Sequence, residues 1–320
     1  MVVRFVENSA VVAGYWPAEA GSATGLKIGD IILGLDGVPV SELVERWSPY
    51  YAASNNSTRL RDIARSMTTG SCGPANLAVQ RNSQTLAITT PRLEVQANSS
   101  IPGGTHDLAG DTFRMLSNDV AYLKLSSIKA ADVAGCIGRA GQTKGLIIDI
   151  RNYPSEFVVF ALGSLLVDKP TEFVRFTIGD ASNPGAFHWG PALSLTPEQP
   201  HYKGRVVILV DEVSLSQAEY TAMAFRSAPK AIVVGSTTAG ADGNISGIPL
   251  PGGFRTMISG IGVFYPDKRP TQRVGIVPNV EVKPTVAGIR EGRDEVLEEA
   301  LRQILGPGTS AAQIQALAKP

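Results

Sequence analysis

Cysteine and histidine are scarce in this chain. Two cysteines, Cys72 and Cys136, in 320 residues are too few for a disulfide framework or a zinc knuckle, and both are expected as buried thiols. A net charge of one sign is also lacking: 29 Lys+Arg balance 29 Asp+Glu, so no overall field steers nucleic acid or an anionic surface. No hydrophobic run is long. Phe157 to Val167 is the longest nearly apolar stretch, and Gly163 and Ser164 interrupt it, far below the roughly 20 residues of a spanning helix; membrane insertion and nucleic-acid binding are therefore not expected. The opening MVVRFVENSAVVAGYW has a strand pattern broken by Arg4 and Glu7 rather than the apolar core of a signal peptide, and reads as a module within a longer product. What is present, 43% hydrophobic and 18% charged residues, is the mixture of a soluble globular protein, with length for two domains that each bury a core.

From Ala10 to about Arg92, short apolar runs are punctuated by glycine. In Gly25 to Val40, Gly29-Asp30 predicts a turn, Ile31 to Leu35 a buried strand, and Asp36-Gly37 a tight hairpin. A helix is predicted over Ser41 to Tyr51. This segment resembles the PDZ domain attached to bacterial proteases, which binds an extended peptide along a sheet edge. The resemblance places that edge at Val11, Val12 and Ala13. The composition then turns to Gln, Asn, Ser, Pro and Gly, with Pro102-Gly103-Gly104 as the strongest breaker. Beyond it, nearly continuous apolar strands (VAYLKL, GLIIDI, VVILV, AIVVG) alternate with helix-length stretches, which argues for a mainly parallel sheet covered on both faces. A last helix, Asp294 to Leu305, has apolar residues at helical spacing, and Gly306-Pro307 ends it.

Chemistry concentrates in GRVVILVDEVSLSQAEYTAMAF, where a buried strand ends at Val210 and a small-residue helix starts near Ser216. In open α/β folds, ligands gather at such carboxyl strand ends. A serine there lies beside the positive end of a helix, whose backbone N–H groups can stabilise an oxyanion. The plainer alternative is that Ser214 with Gln217 forms a capping box and the serines merely start the helix.

The neighbouring segments carry more weight together. Ile147-Ile148-Asp149-Ile150-Arg151, then Val210 to Glu219, then Gly235-Ser-Thr-Thr-Ala-Gly240, then Val274 to Asn279 follow one another in an order that resembles the serine peptidases including the C-terminal processing (tail-specific) proteases and the tricorn core. That resemblance implies an α/β fold: a small β-rich PDZ-like domain over 1–95, a linker at 96–112, a crotonase-like α/β peptidase core over 113–306 and a loose tail at 307–320. It implies Ser216 as nucleophile, with Glu219 at the family's acidic position. Gln217 would give a backbone amide to the oxyanion hole, and Ser155, in the loop after the Asp149-Ile150-Arg151 segment, a second donor. Asp242 and Asn244 would shape the turn beside the nucleophile and contact substrate, and Asp149 with Arg151 reads as a structural pair.

A serine hydroxyl needs a base, and here the sequence departs from its relatives. The processing-protease lysine position is Ala241, and Gln272 stands where the tricorn-like branch has a glutamate that orients a histidine from an upstream motif. The three histidines here, His106, His188 and His201, read first as solvated or packed rings; His106, beside Asp107, is the one retained as a candidate base. The base therefore reads as left out or lost, which predicts weak activity for these residues alone. The leading reading is a serine endopeptidase that cleaves peptides or unfolded protein tails through an acyl-enzyme on Ser216, with no metal or cofactor. The alternatives are a catalytically impaired peptide-binding protein on a retained scaffold, and acyl-CoA chemistry on a crotonase-like fold. An oligomer is compatible with the resemblance, as is a bacterial envelope or secreted location; the sequence itself fixes neither.

Overall fold

A computed structural model describes residues 1–15, 21–92 and 107–319. Two compact units emerge. One is Met1–Thr105 with Lys283–Glu295, and the other is His106–Val282 with Val296–Pro320. The contiguous core expected over 113–306 is thus interrupted, because one short stretch near its end belongs with the first unit.

The first unit is built on an antiparallel sheet of β1 (Val2–Val6), β2 (Ser9–Gly14), β3 (Ile31–Leu35), β4 (Val38–Pro39), β5 (Gly73–Arg81) and β6 (Gln84–Arg92), with helices α1 (Gly21–Thr24), α2 (Val40–Trp47) and α3 (Asn56–Ser66). The order is β1-β2-β3-β5-β6, with β4 paired to β3. Tight turns set it up: Glu7 and Asn8 between β1 and β2, and Asp36 and Gly37 between β3 and β4, all have positive φ, the geometry that two-residue hairpins require. Along β5 every second residue is buried from Ala75 to Val79, so one face joins the core of Val12, Ile32, Ile63, Leu77 and Val79.

That order overturns one expectation. β2 is interior: Val11 faces Arg4 on one side and Ile31 on the other, and Val12 pairs with Val3 while its amide donates to the Asp30 carbonyl. Val11, Val12 and Ala13 therefore offer no open edge to a peptide, because the opening residues fold back as β1 and occupy it. Cys72 is exposed, and only Cys136 is buried.

The second unit is organised by a six-stranded sheet of order β17-β13-β12-β9-β8-β7. Its strands are β7 (Phe113–Met115), β8 (Val120–Lys124), β9 (Gly145–Asp149), β12 (Arg205–Val210), β13 (Ile232–Gly235) and β17 (Val280–Glu281). All but β7 run parallel. β10 (Thr171–Gly179) and β11 (Phe187–Leu195) pair with β16 (Gly262–Phe264) in a second sheet, and β14 (Ile245–Pro249) with β15 (Arg255–Ser259) forms a separate hairpin. The helices are α4 (Val133–Ala140), α5 (Val159–Gly163) and α6 (Gln217–Phe225). α7 (Val286–Glu291) returns to the first unit, where Val286 packs on Val6 and Val11. α8 (Glu295–Leu305) and α9 (Ala311–Leu317) follow.

Alternation along the parallel strands splits the core in two, as a sheet covered on both faces requires. Leu146, Ile148 and Val210 join residues of α4, α5 and α6 on one side. Ile147, Val207, Leu209 and Val234 meet Val296, Leu297, Ala300 and Leu301 on the other. The tail expected to be loose completes that second layer: α9 is capped by Ser310, whose side chain accepts from the Gln313 amide, and it buries Ile314. Among the described residues no helix is long and apolar enough to cross a membrane.

Candidate active site

β12 lies between β9 and β13, parallel to both, so the segments that follow these three strands leave from the same edge of the sheet. Three short links bind them together. Ser214, fully buried, donates its hydroxyl to the Ile150 carbonyl (2.8 Å), and its own carbonyl accepts from the Ala239 amide (3.0 Å). The Gln217 side chain donates to the Glu156 carbonyl at 3.0 Å. Gly235 opens the third segment at φ +132, where a Cβ would sit 1.9 Å from the Val210 carbonyl oxygen; only glycine fits that approach.

Ser216 starts α6 at φ 53 and ψ −119, a conformation an L-residue adopts at a cost and one concentrated at functional sites. A sharp turn of this kind between strand and helix presents a serine at the sheet edge. Ser216 is half-buried. In the first turn, the Ser216 amide donates to Glu219 and the Ala218 amide to the Leu215 carbonyl, whereas the Gln217 amide has no acceptor among the described residues. The helix cap is thus at Ser216 with Glu219, and Ser214 turns its hydroxyl to the β9 segment instead of forming the expected box with Gln217. One turn further on, Tyr220 stacks with Phe157 (6.1 Å between centroids) and Phe176 (6.0 Å), and Phe157 is 55% exposed.

Glu219 is the hub of the site. It is fully buried and accepts from four donors: the amides of Ser216 (3.2 Å), Gly240 (2.7 Å) and Ala241 (2.8 Å), and the Thr238 hydroxyl. Burial pushes its carboxyl above the ordinary range, while those donors pull the other way. Because the Ser216 and Ala241 amides share one carboxylate oxygen, at 3.2 and 2.8 Å, their nitrogens lie within about 6 Å of each other.

Asp242 comes next in the chain. It is 6% exposed; Oδ1 accepts from the Gly243 amide at 2.7 Å, and Oδ2 is buried without a hydrogen-bond partner. Burial pushes its carboxyl up to about 7, and the nearby Glu219 charge adds to the shift. Gln272 holds the segment in place. Its Nε2 donates to the carbonyls of Asp242 and Ile261, both at 2.9 Å, and its Oε1 accepts from the Val263 amide at 3.2 Å. The Gln272 carboxamide is therefore a strut, committed at both ends. Asn244 is exposed where the chain enters β14.

Other expected residues are placed differently. The Ser155 amide donates to the Leu125 carbonyl (2.9 Å) and its hydroxyl to the Ile128 carbonyl (2.6 Å), so Ser155 is already committed and does not supply the second oxyanion donor. His188 pairs with Asp180 at 3.1 Å, His201 contacts the Gln199 amide at 2.8 Å, and neither reaches Ser216. His106, with most of the expected linker, lies outside the described residues. Asp149 and Arg151 form a buried fork-shaped pair, 3.0 and 2.6 Å, joined by the Tyr122 hydroxyl. Sequence reasoning missed Asn152, which is 2% exposed with neither carboxamide atom bonded, and the linking role of Ser214. No spacing signal marks either residue. Among the described residues no group of three His, Cys, Asp or Glu could hold a metal.

A mainly parallel sheet with a strained serine at its carboxyl edge, backed by a buried glutamate, makes this unit a mixed α/β core with its chemistry gathered at the carboxyl strand ends. The profile of peptidase family S41 matches residues 119–282, just over half of the chain, and the chain belongs to that family of peptidases. No curated protein matches it. Among solved structures, mature CPAF complexed with lactacystin is similar at a TM-score of 0.70 and 14% identity, over 95% of this chain and 83% of that one. A structure described as a peptidase from Parabacteroides merdae is similar at 0.56 and 19% identity, over 85% and 90%. At these identities the likeness is one of fold.

Proposed function

We propose that this peptidase is a serine endopeptidase that attacks the peptide carbonyl with Ser216 and forms an acyl-enzyme. The observation that carries the reading is the positive-φ turn that places Ser216 at the carboxyl edge, followed by an amide, that of Gln217, with no acceptor. Such an amide suits the charge that develops on the carbonyl oxygen. With Ser155 committed, the adjoining amide of Glu156 is the second donor in this reading: its own carbonyl is tied to Gln217, and its N–H has no acceptor among the described residues. Substrates are peptides or unfolded protein tails. The first unit would hold them by strand addition, along the outer side of β1 rather than β2. The test is cleavage of an unfolded protein by the chain and by its Ser216→Ala variant, with the adduct of a fluorophosphonate mapped by mass spectrometry. Cleavage that survives the substitution, or an adduct on another residue, sinks the reading.

A second reading, a peptide-binding protein with an impaired peptidase scaffold, is favoured by Ala241 at the lysine position and by the uncharged Gln272. It predicts peptide binding with no adduct on Ser216.

A further inference from the structure

Residue 241, the lysine position, is alanine, and Gln272, at the position of the orienting glutamate, has spent its hydrogen bonds on backbone. The same turn nevertheless holds a carboxylate with one oxygen that no structural partner explains. Asp242 is nine-tenths buried, and its Oδ2 bonds to nothing in the protein. Buried polar atoms are almost always paired, and a specific orphan calls for a functional explanation. Its neighbour in the chain is tethered to the nucleophile's backbone: Glu219 Oε2 grips the amides of Ser216 and Ala241 together at 3.2 and 2.8 Å.

We propose that Asp242 is the general base of this enzyme, taking the proton of Ser216. The inference rests on Ser216 being the nucleophile. As the Ser216 Oγ–C bond forms at the substrate carbonyl, the O–H bond breaks and its proton moves to Asp242 Oδ2. The resulting carboxylic acid returns the proton to the leaving nitrogen as the C–N bond breaks. Water then attacks the acyl-enzyme, Asp242 takes its proton, and return of a proton to Ser216 Oγ releases the acid product. Ser216 and Asp242 are not in hydrogen-bond contact in the free protein and Oδ2 is closed to solvent, so the transfer follows the tightening that catalytic contacts undergo when substrate binds.

The surroundings suit the role. From α6, Glu219 and Tyr220 face the carboxyl; Glu219 raises it, and Asp242 in turn raises the Tyr220 hydroxyl, which burial pushes up to about 12. From its own segment only the Gly243 amide bonds it, and from the 272–273 stretch it meets the neutral Gln272 through its backbone, with Arg273 exposed. No lysine or arginine among the described residues pairs with it. A carboxyl held near 7 is partly ionised at neutral pH and basic enough to accept a proton, which an ordinary aspartate is not.

The experiment follows the rate of fluorophosphonate labelling at Ser216 in the full chain, from about pH 5 to about pH 9, for the wild type, Asp242→Asn and Asp242→Glu. The wild-type rate should rise with pH through a midpoint near 7. Asp242→Asn should label about a hundredfold more slowly or worse and lose that pH step, while Asp242→Glu should keep a pH step with a moved midpoint. Thermal melts establish that the variants fold; if the asparagine variant does not, the glutamate midpoint decides. Equal labelling of Asp242→Asn and wild type, or an unmoved midpoint in Asp242→Glu, overturns the base and leaves the Ser216 reading standing. No labelling of the wild type at any pH overturns both.

Discussion

Asp30 in the first unit and Asp242 in the peptidase unit are both buried aspartates beside a turn, and their surroundings treat them in opposite ways. Asp30 is 1% exposed and fully engaged: Arg81 grips both oxygens (2.8 and 2.6 Å), and the Lys27 amide adds a third bond at 2.8 Å. Burial alone would raise its carboxyl, but the Arg81 fork and the Lys27 amide outweigh it and hold the group below the usual carboxylate range. Asp242 has one amide and an orphan oxygen, and burial wins. The difference separates an acid that holds a fold together from one that the fold must carry at a cost. Buried side-chain atoms without a partner also occur at Thr90 and Arg92 on β6 and at Arg175 on β10, but those of Asn152 and Asp242 lie in the segments that leave the carboxyl edge of the parallel sheet, the part of the unit where strain is tolerated for chemistry.

The largest effect that could break this division is at Ser216. Ser216→Ala should lower turnover by about a millionfold, the loss seen when a serine nucleophile is removed, and cost no more than the roughly 1 kcal/mol of a lost helix cap. A fall of several kcal/mol, well beyond a lost cap, would show that the main role of Ser216 is structural. Next is Glu219→Ala. It strands the donors of Ser216, Thr238, Gly240 and Ala241 in a buried site, and should cost several kcal/mol at about 1 to 3 kcal/mol for each donor left unpaired, measured by urea unfolding with its slope unchanged. A cost under about 1 kcal/mol would mean the segments are held together by something other than this hub.

What the sequence disclosed follows the same line. The strands of the peptidase sheet were legible because a strand buried on both faces is a continuous apolar run, as in Leu146 to Ile150 and Val206 to Val210. Ser216 was legible because strand, turn and small-residue helix lie within one short segment. The β10–β11 hairpin was not, since its exposed faces dilute the apolar pattern with residues such as Arg175, Thr177 and His188. α9 escaped because its single buried anchor, Ile314, sits in a polar stretch. The role of β1 was hidden for another reason: a pairing partner is a tertiary fact, and Val11 reads the same beside a peptide or beside Arg4. Asp242 was visible as part of a turn, yet its isolation depends on Gln272, thirty residues away, whose side chain satisfies the Asp242 carbonyl and gives the carboxylate nothing. That is why a missing base was expected from the sequence and why a carboxylate near 7 emerges only from the packed site.

Substitution of either aspartate's surroundings sharpens the contrast. A folded-state carboxyl raised from 3.8 to about 7 binds its proton more tightly in the native state. The associated stability is complete below about pH 4 and is lost as pH rises to about 7. Asp242→Asn should therefore raise stability by on the order of 4 kcal/mol above neutral pH and by almost nothing near pH 4, a gain accompanied by lost activity. A pH-independent change in unfolding free energy would contradict the unpaired carboxylate. The converse test turns Asp30 into its counterpart. Asp30 has a depressed carboxyl, so its contribution is present above the unfolded value of 3.8 and is lost as pH falls through the lower folded one. Arg81→Ala should remove that contribution, cost about 2 kcal/mol at neutral pH, and flatten the acid side of the stability profile. An acid limb that stays as steep would mean that Arg81 does not hold the Asp30 charge.

The smallest effect concerns Gln272, and it asks whether the family's glutamate can simply be put back. The side chain satisfies three backbone groups: its Nε2 serves the Asp242 and Ile261 carbonyls at 2.9 Å each, and its Oε1 takes the Val263 amide at 3.2 Å. Gln272→Glu keeps the acceptor and removes both donors, setting a carboxylate oxygen against two carbonyl oxygens. The variant should lose about 1 to 2 kcal/mol, the cost of donors withdrawn from a partly buried site. It should also label more slowly with a fluorophosphonate, because the added negative charge near Asp242 raises that carboxyl further and leaves less of it ionised at neutral pH. The wild-type midpoint near 7 should move to higher pH in the variant. Faster labelling at neutral pH with no loss of stability would show that a glutamate at 272 can act in this site as the sequence alone suggests, and that the burden has not passed to Asp242.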